Sequence, residues 1–180
     1  MIGVLASGEG TNLQALLDAG LPVVAVASNV SGARALARAE EAGVPTADFA
    51  LEGFESRAAR DDAMADWLAA HGVELVVCAG YMHLLTSTFL DRFAGRVVNV
   101  HPAPLPGFPG AHPLEDLLAA GAREAAATVH YVDEGVDTGP VIASECVPVL
   151  PDDTVETLRQ RVHAVEHRLL PEVVRELCAR

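Results

Sequence analysis

Short apolar runs alternate along this chain with stretches of helical spacing, and that alternation limits the possible folds more than any other feature. Residues 2–6, 22–27, 46–50, 74–79 and 97–101 read as strands. The stretch after Asn12 (Leu13, Ala15, Leu16, Leu17), residues 31–42 closed by Gly43, 57–71 and 87–93 read as helices. Strands separated by helices pair in parallel through right-handed crossovers. A twisted, largely parallel sheet with helices on both faces is therefore predicted, a single-domain Rossmann-like α/β fold. A helix over 114–120, strands over 126–132 and 141–147, and a last helix from a capping box at Asp153-Thr154-Val155-Glu156 to about residue 170 complete the reading. Pro171 is expected to kink or restart that helix. With 180 residues, 51% of them hydrophobic, the chain can bury one large core, and no linker or repeat divides it, so residues 1–180 are expected to form one domain.

Ligands of such sheets lie beyond the carboxyl ends of the strands. The first strand breaks into Ser7-Gly8-Glu9-Gly10-Thr11-Asn12 and then a helix, a geometry that turns backbone N–H groups and a positive helix end toward an anion. A dinucleotide fingerprint fails because Leu13 stands where a small residue is needed and the second strand ends Val26-Ala27-Ser28-Asn29 without an acid. A Walker A loop fails for want of Gly-Lys-Ser/Thr. The anion expected is a single phosphate on a small molecule; a tight strand-to-helix connection without a ligand would use the same residues.

The run Val97-Val98-Asn99-Val100-His101 places Asn99 and His101 on one face of an extended strand. Pro102, Pro104, Pro106 and Pro109, with Gly107 and Gly110, make the loop that follows stiff and bent. An imidazole exchanges protons near neutral pH and an amide donates to an oxygen that becomes negative, which together suit acyl transfer. The same two residues would also serve as a strand-end cap and a satisfied core histidine. A carboxylate from the loop Asp133-Glu134-Gly135-Val136-Asp137-Thr138-Gly139-Pro140 would favour the protonated imidazole and hold its tautomer, and Asp137 is the candidate; Asp and Gly also suit a plain turn.

A formal charge of −13 and the lack of any Lys/Arg cluster argue against nucleic acid as a partner. Cys78, Cys146 and Cys178 are too few and too scattered for a disulfide framework or a zinc ribbon. No leader and no run of membrane-spanning length is apparent, so a cytoplasmic protein acting on small molecules, monomeric or homodimeric, is expected.

Taken in order, the segments Ser7-Gly8-Glu9-Gly10-Thr11-Asn12-Leu13-Gln14, Ala79-Gly80-Tyr81-Met82, Asn99-Val100-His101-Pro102 through Phe108-Pro109-Gly110-Ala111-His112, Thr128-Val129-His130-Tyr131-Val132, Asp137-Thr138-Gly139-Pro140-Val141-Ile142 and Glu166-His167 resemble the phosphoribosylglycinamide formyltransferases across essentially the whole chain. The resemblance implies transfer of a formyl group from 10-formyltetrahydrofolate to the glycyl amine of a ribonucleotide. The phosphate and ribonucleotide would be held in the N-terminal half and folate in the C-terminal half, with the active site between. Asn99 and His101 would stabilise the oxyanion, His101 would protonate the leaving N10, and Asp137 would support the protonated ring. Gly10, Thr11 and Asn12 would hold the phosphate, Glu166 the ribose hydroxyls, with His163 nearby. Folate would lie along Met82, His83, Leu84, Leu85 and Asn99 and the loop Asp133, Glu134, Gly135, Val136 and Asp137, with Arg57 near its acidic tail. No metal is implied.

His83 stands where such enzymes often carry Arg, Gly107 where they commonly carry Lys, and His163 where Gln is frequent. Two other activities bear weighing. A formyltetrahydrofolate deformylase shares the catalytic half. His163-Ala164-Val165-Glu166-His167 has the H-x-x-E-H form of a zinc peptidase helix using His163 and His167, but lacks a well-placed third ligand downstream.

Overall fold

A computed structural model describes residues 1–179, which fall into two compact units, residues 1–99 and 100–179. The first contains β1 (Ile2–Leu5), α1 (Thr11–Asp18), β2 (Val23–Ser28), α2 (Arg34–Glu41), β3 (Thr46–Asp48), a 3-10 turn (Leu51–Gly53), α3 (Arg57–Ala70), β4 (Leu75–Cys78), α4 (Ser87–Arg92) and the start of β5 (Val97–His101). These strands lie in the order β3-β2-β1-β4-β5, and every pairing is parallel. From β1 the chain steps outward to β2 and β3, then returns to the other side of β1 for β4 and β5. Right-handed crossovers then put α1 and α2 on one face and α3 and α4 on the other, and the helices pack on each other in those two pairs. With both faces covered, β1 and β4 are buried along their whole length, which is why they read as unbroken apolar runs instead of alternating ones. Leu13, Leu16, Met64, Leu68 and Phe89 fill the layers beneath the helices and are fully buried.

The order reverses between β1 and β4, so the turns that leave these strands form the switch point of the sheet. The two turns are tied directly: the Ser7 N–H donates to the Gly80 carbonyl at 3.0 Å.

The second unit holds the end of β5, α5 (Pro113–Ala119), β6 (Glu124–Tyr131), β7 (Val141–Pro148) and α6 (Val155–Cys178). β6 and β7 pair antiparallel from Glu124 opposite Pro148 to His130 opposite Val141, and α6 packs across both strands. The buried Thr128 hydroxyl donates to the Ala103 carbonyl at 2.8 Å and meets Ser144 Oγ at 2.9 Å, which pins the proline-rich loop to the hairpin.

Three local expectations need correction. α6 continues through Pro171 as one helix of 24 residues. The proline removes only the hydrogen bond to the His167 carbonyl, and the burial of Leu169, Leu170, Pro171, Val173 and Val174 holds the backbone helical despite that loss. The cap of α6 lies one residue later than the sequence pattern suggests: Thr154 is the N-cap, with its Oγ accepting from the Thr157 N–H at 3.2 Å and Thr157 Oγ1 accepting from the Thr154 N–H at 3.0 Å. Asp153 instead accepts from the Leu150 N–H and the Thr157 hydroxyl and pairs with Arg161, whose hydrogen bonds hold this carboxyl far below the usual carboxylate range. Finally, α2 begins at Arg34 instead of residue 31, because the chain turns through Gly32 at φ +73°.

Candidate active site

In the first unit, the turn after β1 is shaped by contact with α2. Gly10 is the N-cap of α1 at φ 72°, and a Cβ there would stand 2.7 Å from Ala35 Cα. Both the left-handed backbone and the close approach demand glycine. Arg38 braces the same turn, its Nε donating to the Glu9 carbonyl at 2.8 Å and its Nη1 to Gln14 Oε1 at 3.2 Å. Asn12 is buried and Thr11 half-buried on the first turn of α1. Ser7 completes the arrangement by donating its hydroxyl proton to Asn29 Oδ1 while accepting from the Met82 N–H at 2.9 Å.

The segment after β4 alternates in exposure. Tyr81 and Leu85 are buried, His83 is half-buried, and Met82 and Leu84 stand exposed. Arg57 lies exposed at the start of α3, whose N-cap Ser56 accepts from the Ala59 N–H at 3.1 Å. Asn99, half-buried, sits on β5 in register with Cys78 of β4.

In the second unit, His101 ends β5 almost wholly buried, its Nε2 2.7 Å from the Phe108 carbonyl and its Nδ1 3.5 Å from Asp137 Oδ2. His130, equally buried, places Nδ1 2.8 Å from the Tyr131 carbonyl and Nε2 3.5 Å from Asp137 Oδ1. A carbonyl oxygen only accepts, so each ring carries a proton on the nitrogen facing its carbonyl and turns its other nitrogen toward Asp137. One carboxylate, through its two oxygens, thus faces both rings.

Burial alone would push the Asp137 carboxyl up, but it is held below its usual range because the opposing interactions win. These are the hydrogen bonds from His130 and from the Gly110 N–H, 2.9 Å away, and the charges of His101 and His130. Asp137 adopts φ 53°, the left-handed region that a non-glycine residue enters at some cost. The loop enforces it. Asp133 Oδ1 accepts from the Gly135 N–H at 3.0 Å and from the Thr138 hydroxyl at 2.7 Å, and a Cβ on Gly139 would fall 1.9 Å from the Tyr131 carbonyl oxygen. A register shift in the β6–β7 pairing falls between Val129 and His130.

Of the sequence candidates, the structure brings His101 and Asp137 together directly. Asp133 serves as the brace of the 133–138 loop, whereas Glu134 is exposed and Val136 is 44% exposed. On α6, Glu166 is buried with His163 Nε2 3.9 Å away, and the His163 and His167 rings lie 6.0 Å apart. Burial lowers the pKa of both histidines, His163 further through Arg159 and His167 further through His163. Among the described residues no group of three or more His, Cys, Asp and Glu is arranged to hold a metal ion. His130 had no role assigned from sequence, although its spacing from Thr128 on one strand placed two polar groups on one face. The Phe108 carbonyl and Gly110 N–H were invisible because backbone groups leave no mark in residue type.

A family model described as Formyl transferase matches residues 1–174. The phosphoribosylglycinamide formyltransferase of Mycobacterium tuberculosis H37Rv is 48% identical over 178 residues, covering 97% of this chain and 83% of the relative. The trifunctional purine biosynthetic protein adenosine-3 of Drosophila melanogaster is 43% identical over 181 residues, and the chain spans only 13% of its length. The crystal structure of glycinamide ribonucleotide transformylase 1 from Symbiobacterium toebii superposes with a TM-score of 0.95 at 46% identity, covering 97% of this chain and 85% of that one.

Proposed function

Because the chain belongs to the formyl transferase family, we propose that it transfers the formyl group of 10-formyltetrahydrofolate to the amino group of 5'-phosphoribosylglycinamide, a step of purine biosynthesis in the cytoplasm. The observation that carries this reading is the buried His101 imidazole 3.5 Å from the Asp137 carboxylate, on the strand that also bears Asn99. The glycyl amine adds to the formyl carbon, forming a C–N bond while the carbonyl electron pair moves onto oxygen. Asn99 and His101 donate to that oxygen, and the Nε2–H now given to the Phe108 carbonyl is the donor the oxygen takes over. Collapse breaks the bond to folate N10, which receives a proton from His101, and the proton lost by the glycyl nitrogen restores the ring's charge. Asp137 favours the imidazolium throughout.

Gly10, Thr11 and Asn12 receive the phosphate, and Glu166 the ribose hydroxyls with His163 beside it. Met82, His83, Leu84 and Leu85, with Asn99 and the loop of Asp133, Glu134, Gly135, Val136 and Asp137, receive folate, and Arg57 its acidic tail. The exposed Met82 and Leu84 support the apolar part of this assignment. The chemistry asks for no metal. The partners are small molecules, with neither nucleic acid nor membrane, and the chain acts as a monomer or homodimer; among the described residues no helix is long and apolar enough to cross a membrane.

The test is to incubate the protein with 10-formyltetrahydrofolate with and without phosphoribosylglycinamide and follow tetrahydrofolate release. Release that depends on the acceptor is expected. Release without acceptor would make the protein a hydrolase, and no release in either case would overturn the reading.

A further inference from the structure

We propose that Arg60 is a positioning residue that fixes His83 as an uncharged hydrogen-bond donor toward an oxygen acceptor of the folate co-substrate, an inference that rests on the function proposed above. Arg60 is fully buried on α3. Its Nε and Nη2 both donate to Asp61 Oδ1, at 2.9 and 2.6 Å, and Asp61 Oδ2 accepts from the Thr86 N–H at 2.8 Å. The guanidinium is thus clamped, with Nη1 left over, and Nη1 lies 2.7 Å from His83 Nδ1. A guanidinium keeps its protons at every accessible pH and has no acceptor. Nδ1 must therefore accept, which leaves the ring proton on Nε2.

Protonating Nδ1 would set donor against donor and place a second cation beside a buried one. The charged and titratable groups around the ring are Arg60 and Arg57 from α3, Asp61 beside them, and Tyr81, whose ring lies 6.3 Å away edge-on. Burial, then Arg60, then Arg57 hold the imidazole below its ordinary value of 6.5, and Asp61 opposes them only in part. His83 lies between the exposed Met82 and Leu84, so its one remaining N–H belongs to the segment assigned to folate. Such a donor recognises a carbonyl or carboxylate oxygen through a hydrogen bond whose strength does not change with pH, where a free histidine would gain charge on acidification.

Imidazole 15N spectra of histidine-labelled protein, with the His83 signals assigned by their loss in His83→Gln, test the geometry without any turnover. The Nε2–H tautomer and a titration midpoint below 6.5 are expected. The Nδ1–H tautomer, or a midpoint at or above 6.5, would overturn the proposal. In Arg60→Met the midpoint should rise and the tautomers mix; the wild-type spectrum decides the matter if that variant does not fold. Kinetically, His83→Phe should raise KM for 10-formyltetrahydrofolate about three- to tenfold with kcat kept, and His83→Gln, which restores a neutral donor, should recover most of the loss. Equal KM values for Phe and Gln would overturn the donor role. If the penalty of His83→Phe vanishes with 10-formyltetrahydropteroate, the acceptor is on the glutamate; if it persists, the acceptor is a carbonyl of the remaining molecule. A wild-type protein without acceptor-dependent turnover would defeat the functional reading and leave the spectroscopic result standing.

Discussion

The glycine turn of the first unit and the histidine–carboxylate cluster of the second are built on opposite plans. Around Gly10 the shape comes from backbone: a left-handed residue pressed against α2, with Arg38 and Ser7 tying the turn to its surroundings. Around Asp137 the chemistry comes from side chains, because two imidazoles share one carboxylate, and the strained backbone serves only to aim it. A site built from backbone is defended by packing and fails by unfolding. One built from side chains that converge on a carboxylate can lose its chemistry while the protein stays folded.

The sharpest test of that contrast is His101→Ala or Asp137→Ala. Each should fold with nearly unchanged circular dichroism yet lose about 100- to 10,000-fold in kcat, and near wild-type turnover in either would remove that residue from the mechanism. Gly10→Ala should do the reverse. A Cβ 2.7 Å from Ala35 Cα, added to the left-handed penalty, should cost about 2–4 kcal/mol in urea unfolding; unchanged stability with weakened substrate binding would erase the distinction drawn here. Thr154→Ala, at the N-cap of α6, should cost about 1 kcal/mol through the lost cap and leave kcat alone, which calibrates what an ordinary structural hydrogen bond contributes.

The smallest expected effect is the pH dependence that Asp137 lends to stability. Its folded pKa lies below the ordinary aspartate value of 3.8, so the unfolded chain binds more protons there. The stabilisation is complete above the unfolded value and is lost as pH falls through the folded one. Unfolding free energies of wild type and Asp137→Asn should therefore converge below about pH 4, and parallel curves down to pH 2 would show that the carboxylate contributes no such linkage.

Much of this was legible in the sequence, and what was not has a physical cause. The parallel sheet announced itself through runs such as Leu75-Val76-Val77-Cys78, because strands covered on both faces contain no polar positions. The pairing of His101 with Asp137 followed from two strand ends carrying complementary chemistry. Pro171 does not restart the helix, because the burial of Leu169, Leu170, Val173 and Val174 holds the turns around it. Arg60 drew no notice in the sequence, and its burial is explained by partners that residue type does not reveal: the adjacent Asp61 carboxylate and His83, 23 positions away. The Phe108 carbonyl and the Gly110 N–H belong to loop geometry that no residue type encodes.

Ser7 offers a last consequence. Its single hydroxyl joins Asn29, just past β2, to the Met82 amide past β4, while its own amide holds the Gly80 carbonyl. Three chain segments are riveted through one small side chain, so the exposed Met82–Leu84 segment is tied to the turn after β1. Removal of that one oxygen atom, as in Ser7→Ala, should loosen the turn after β1 from the segment after β4, read as faster amide hydrogen exchange at Met82.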